Sequence, residues 1–185
     1  TNKEKMLSSR IATKAGVVNG IIYIIGGGHG ARNCEAYDPG TNQWTIKTDR
    51  PVGGEVALTV FNGLIYTFGG NDVNFNPYSN VFVYNPQSDT WTQKQNMPTA
   101  RFGCESYLVN GKIYVIGGSQ TSYSAVATVE VYDPVNDSWS NLPNMPDNLT
   151  WFASAVVNNK IYVISGTPDW ATGDGAIWEY DPAWV

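Results

Sequence analysis

Four copies of one short pattern run through the 185 residues, and no other feature restricts the possible fold as strongly. Val18-Asn19-Gly20-Ile21-Ile22-Tyr23-Ile24-Ile25-Gly26-Gly27 returns in altered form at residues 61–70, 109–118 and 157–166. The tyrosines Tyr23, Tyr66, Tyr114 and Tyr162 are separated by 43, 48 and 48 residues. A second marker, Tyr-Asp-Pro or Tyr-Asn-Pro, keeps step at Tyr37, Tyr84, Tyr132 and Tyr180. A tryptophan follows it by seven residues at Trp44, Trp91 and Trp139. Three markers in register define a supersecondary unit repeated in tandem.

Each unit reads as four short strands, a to d. Strand a is the apolar run before Asn-Gly, a pair that accepts positive φ at both central turn positions and so closes a tight hairpin. Strand b is the Ile-Tyr-Val-Ile type of run with its glycine pair, strand c ends at the Tyr-Asp-Pro marker, and strand d carries the tryptophan. A single four-stranded sheet has two faces to bury, and stacking the sheets radially buries both. The expected fold is therefore all-β: four blades of four-stranded antiparallel sheets, with repeats near residues 6–49, 50–96, 97–144 and 145–185. Met97 and Met145 each follow a tryptophan by six residues, and Met6 stands in the same phase. Residues 1–5 are accordingly expected as a strand d completing the last blade. A closed four-bladed ring, an open fragment and an assembly of chains into a larger ring all fit that phase.

Several chemistries are excluded at this stage. The net charge of −5 is scattered, which leaves no basic footprint for nucleic acid or an anionic membrane surface. The apolar runs are strand-sized, so no membrane-spanning helix is expected. Cys34 and Cys104 occupy unlike positions of different repeats and read as buried thiols rather than a disulfide. His29 is the only histidine, and no Cys/His cluster exists, so neither a metal nor a cofactor is expected. The glycine run at residues 26–30 lies between strands rather than before a helix, which removes the phosphate-loop reading. Nothing in the sequence assigns a compartment.

A diglycine after strand b, followed by Tyr and Trp at a near-constant interval, resembles the kelch motif, and the resemblance covers almost the whole chain. It implies antiparallel blades around a central axis. It also implies structural roles for Gly26, Gly27, Tyr37, Trp44, Gly69, Gly70, Tyr84, Trp91, Gly117, Gly118, Tyr132, Trp139, Gly166 and Tyr180. The fourth copy departs from the motif, with Ser165 in place of the first glycine, and the tryptophan position seven residues after Tyr180 falls at 187, past Val185 where the sequence given ends.

The d–a and b–c connections of such a blade emerge on one face. That face is expected to carry Arg10, Arg101 and Trp151 from d–a loops, and His29, Arg32, Phe75, Tyr78, Tyr123 and Trp170 from b–c loops. Clustered aromatic and arginine side chains suit a protein or peptide ligand, and a glycan as well. In kelch-like ubiquitin-ligase adaptors, similarly placed arginines bind acidic peptides; here the loops at residues 51–54 and 147–151 carry none. Bacterial kelch-type sialic acid mutarotases use cavity arginines and a glutamate, for which Arg10, Arg101, Glu55 and Glu105 are the candidates. Lys14 and Glu105 hold equivalent strand-a positions and are expected to pair near the axis. The leading expectation is a non-enzymatic module binding a protein or peptide through this face. A carbohydrate-binding or sugar-acting protein, and a fragment that self-associates to complete a ring, are the alternatives.

Overall fold

The computed structural model describes residues 2–122, 124–168, 173 and 175–182. Four antiparallel sheets follow one another along the chain as the blades of a β-propeller. The first pairs β1 (Lys14–Val18), β2 (Ile21–Ile25), β3 (Cys34–Asp38) and β4 (Gln43–Lys47) in order. The second repeats this with β5 (Ala57–Phe61), β6 (Leu64–Phe68), β7 (Val81–Asn85) and β8 (Thr90–Lys94). In the third, β9 (Glu105–Val109) and β10 (Lys112–Ile116) are followed by a side hairpin, β11 (Ser119–Thr121) with β12 (Ser124–Ala125). That blade is completed by β13 (Val129–Asp133) and β14 (Ser138–Asn141). The described part of the fourth has three strands, β15 (Ala153–Val157), β16 (Lys160–Ile164) and β17 (Ile177–Tyr180).

The a–b turns take the conformation that the sequence demands. Asn19, Asn62 and Asn110 each have φ of 50°, and the glycines after them are also positive, as a type I′ turn requires. The diglycines serve a different purpose, close approach of the next blade. The amides of Gly27, Gly70 and Gly118 donate to the carbonyls of Gly54, Arg101 and Leu149, at 3.1, 3.2 and 2.9 Å. A Cβ on Gly69 would collide with the Arg101 carbonyl oxygen, and φ there is 65°.

The core lies between blades rather than within them. Tyr23 and Ile25 pack on Ile65 and Tyr84; Tyr66 and Phe68 pack on Ile113 and Tyr132; Tyr114 and Ile116 pack on Ile161 and Val163. The marker tyrosine thus meets the strand-b tyrosine of the preceding blade, with ring centroids 5.8 Å apart for Tyr23–Tyr84 and 6.2 Å for Tyr66–Tyr132. A polar staple closes the first two joints at the rim. Tyr84 donates to Asp89 at 2.5 Å, Asp89 accepts the Thr48 amide, and Trp91 donates to the Thr48 carbonyl. Tyr132, Asp137, Trp139 and Gln95 repeat the arrangement.

Residues 2–5 carry no strand in the described structure. Glu4 lies on blade 1, where its amide donates to Asn42 at 3.0 Å and its carbonyl accepts Trp44 Nε1 at 2.9 Å. It takes the place that Thr48 and Gln95 take against blades 2 and 3. Cys34 and Cys104 are buried, free thiols, and burial pushes the Cys34 thiol up to about 12. No helix among the described residues is long and apolar enough to cross a membrane.

Candidate functional site

The d–a connections of all four blades converge at one end of the axis and line a cavity of about 330 Å³. Blade 1 contributes Ile11, Ala12, Thr13 and Lys14, blade 2 Glu55 and Val56, blade 3 Gly103 and Glu105, blade 4 Trp151 and Phe152. A left-handed corner just before strand a aims these linkers inward, with φ of 53° at Ala12, 61° at Gly103 and 55° at Trp151. Gly103 is the small residue against which the Trp151 indole lies, since a Cβ there would come within 2.9 Å of Trp151 Nε1.

Three charged side chains meet in this cavity. Lys14 and Glu105, half-buried on β1 and β9, form an ion pair across the axis. Glu55 is more deeply set, at 6% exposure. Its backbone is pinned: its amide donates to Asn71 Oδ1 at 3.0 Å, and its carbonyl accepts the Gly103 amide at 3.2 Å. No described side chain or backbone group hydrogen-bonds its carboxylate. Burial holds the Glu55 carboxyl above the usual carboxylate range, opposed in part by the positive fields of His29 and Lys14. Asn71, fully buried after the blade 2 diglycine, was not legible as a positioning residue, because its role depends on the neighbouring loop it meets.

The arginines expected on this face sit elsewhere. Arg101 has no exposed surface; it pairs with Glu130 at 2.9 Å and donates to the Val115 carbonyl. Arg10 is likewise paired with Glu35 at 2.8 Å inside blade 1. Both are held within their own blades, as is Arg50, a residue that the sequence did not single out. Arg50 donates to Thr67 Oγ1 and to the carbonyls of Val52 and Gly69, each at 2.9 Å, and lies 5.2 Å from the Phe82 ring centroid. Burial lowers its pKa to about 9. Of the remaining candidates, His29 and Arg32 are exposed, Arg32 donating to the Arg50 carbonyl at 2.7 Å. Phe75 packs on Phe102 at 5.9 Å, and Tyr78 is half-buried beside it in sequence. Tyr123 and Trp170 lie outside the described residues. Among the described residues, no cluster of His, Cys, Asp and Glu could hold a metal ion.

Residues 51–181 match the family model of the FKB95, Kelch-repeats domain, and residues 9–51 match that of the Kelch motif. The chain belongs to the kelch-repeat family. Kelch-like protein 15 of Mus musculus is 29% identical over 105 residues, covering 51% of this chain and 17% of that protein. F-box/kelch-repeat protein At1g67480 of Arabidopsis thaliana is 33% identical over 69 residues, covering 37% and 18%. Among solved structures, that of YjhT is similar with a TM-score of 0.85 at 18% identity, over 97% of this chain and 65% of that one. At that identity the likeness is one of fold. The kelch chain spans less than two thirds of that structure and under a fifth of these two curated relatives.

Proposed function

We propose that this kelch chain is a non-enzymatic binding module that seats a carbohydrate in the axial cavity of its d–a face. The observation that carries this reading is the lining: an indole, a phenyl ring, two carboxylates and an ammonium around a space at the small end of ligand-pocket sizes. Apolar ring faces offer a surface for the C–H side of a sugar, and the charged groups offer hydrogen bonds to its hydroxyls. An acidic peptide is less suited to the site, because Arg10 and Arg101 spend their charge inside the blades. Neither curated relative is named for a reaction.

Trp151→Asn tests the site, since asparagine tolerates the left-handed backbone at this position while removing the ring. Saturation-transfer NMR with a panel of monosaccharides is expected to show binding to the parent and at least about a tenfold loss in the variant, a difference of about 1.4 kcal/mol. Equal binding by both proteins would place the ligand elsewhere.

A protein or peptide ligand remains the second reading. It is favoured by the exposed His29 and Arg32 and the half-buried Phe75 and Tyr78, which could extend the contact beyond the cavity. Self-association is proposed on separate grounds, the apolar outer faces of the first and last blades.

A further inference from the structure

The cavity's charges are unequal: two carboxylates face one ammonium, and that ammonium is already taken. Lys14 pairs with Glu105, leaving Glu55 without a counter-ion among the described residues although it is more than nine-tenths buried. A buried carboxylate is ordinarily paired, hydrogen-bonded or protonated, because desolvation penalises the bare charge. Here no described group reaches either carboxylate oxygen, yet the backbone on both sides of the residue is fixed by Asn71 and Gly103. The side chain is thus held at the cavity wall, its carboxylate turned to the cavity without a hydrogen-bond partner among the described residues. The groups facing it are Lys14 on β1, His29 on the b–c loop of blade 1 and Gly28, from which a Cβ would lie 3.7 Å from Glu55 Oε1.

Resting on the carbohydrate reading above, we propose that the ligand carries a protonated amine, with Glu55 as its counter-ion: an amino sugar with a free amino group. An ammonium placed there satisfies the carboxylate by a charge-assisted hydrogen bond and removes the penalty of its burial. An acidic sugar meets the opposite situation. Its carboxylate would face Glu55 and Glu105, and the arginines that could receive it are buried against Glu35 and Glu130. The chemistry of the cavity therefore selects against sialic acids, the class that the family resemblance first suggested.

The test is calorimetric titration of the 185-residue protein in near-neutral buffer, where the raised Glu55 carboxyl is more fully ionised, with D-glucosamine, D-glucose, N-acetyl-D-glucosamine and N-acetylneuraminic acid. Glucosamine is expected to bind about tenfold or more tightly than the two neutral sugars, with no measurable binding of the acid. Glu55→Gln should abolish the preference, so that glucosamine and glucose bind the variant equally. Glu55→Asp, which keeps the charge, should retain the preference and controls for a folding defect in the amide variant. Glucose or N-acetylglucosamine binding as tightly as glucosamine, or a preference for the acid, would overturn the ammonium inference and leave sugar binding standing. Absence of binding by all four sugars would overturn both.

Discussion

At the scale of single residues, the buried charges among the described residues divide into those paired or hydrogen-bonded inside the blades and Glu55, whose carboxylate has no such partner. Arg101 and Glu130 have 0% and 1% side-chain exposure, so removing one partner strands the other in a medium that solvates it poorly. Glu130→Gln is expected to lower unfolding free energy by about 3–5 kcal/mol in urea denaturation. Blade 4 supplies the remedy, because Leu149 and Trp178 occupy the equivalent positions. The double variant Arg101→Leu/Glu130→Trp should recover most of the loss; failure to do so would mean that the two joints are not interchangeable. Sequence reading placed Arg101 on a loop, which it is, and expected it to face a ligand, which it does not. Loop membership is legible from the repeat, whereas the glutamate that draws the side chain inward comes from strand c, 29 residues further on.

At the scale of elements, the c–d turn does more than reverse the chain. Asp89 has φ of 53° and binds both the marker tyrosine of its own blade and the Thr48 amide after the preceding strand d. Blade 1 performs the same task with Asn42. Asp89→Asn should therefore change the melting midpoint little, while Asp89→Ala should cost about 1–3 kcal/mol by leaving the buried Tyr84 hydroxyl unpartnered. Equal effects of the two substitutions would show that charge, not the hydrogen bonds, matters at this turn. The tyrosine and tryptophan markers were legible from their spacing. The Asn or Asp five residues after the tyrosine stood in the same register but reads from sequence as ordinary turn chemistry. The strand-b glycines show the converse. Ser165 takes the place of Gly69 and has φ of 57°. A serine thus adopts there the backbone conformation that the motif ordinarily gives to glycine.

At the scale of the molecule, each blade covers its predecessor, and the sequence of burial along the chain records this. Ile25, Phe68 and Ile116 are fully buried, whereas Ile164 at the same position of blade 4 is 37% exposed. Cys34, Val81 and Val129 are at most 1% exposed, and Ile177 is 63% exposed. On the opposite side of the array, Val17 is 58% exposed. These two faces have the chemistry of the internal joints, one being the type that covers and the other the type that is covered. Light scattering of the 185-residue chain is expected to give a mass that rises with concentration, through head-to-tail contact of such faces. Ile164→Lys/Ile177→Lys should restore the monomer mass; a concentration-independent monomer mass in the parent would count against the contact.

The sequence by itself determined the blades. Their strands, turns and glycines are set by local rules that repeat every 43 to 48 residues, so periodicity alone made them readable. It also brought Lys14, Glu55, Glu105 and Trp151 forward as residues of interest. Only the tertiary structure decided which charges are spent and which remain. Arg10 and Arg101 are neutralised within their blades, Lys14 is bound to Glu105, and among the described residues Glu55 faces the cavity without an ion-pair partner. The physical reason is that charge pairing in a low-dielectric interior depends on distances between elements far apart in the chain, and no repeat encodes them.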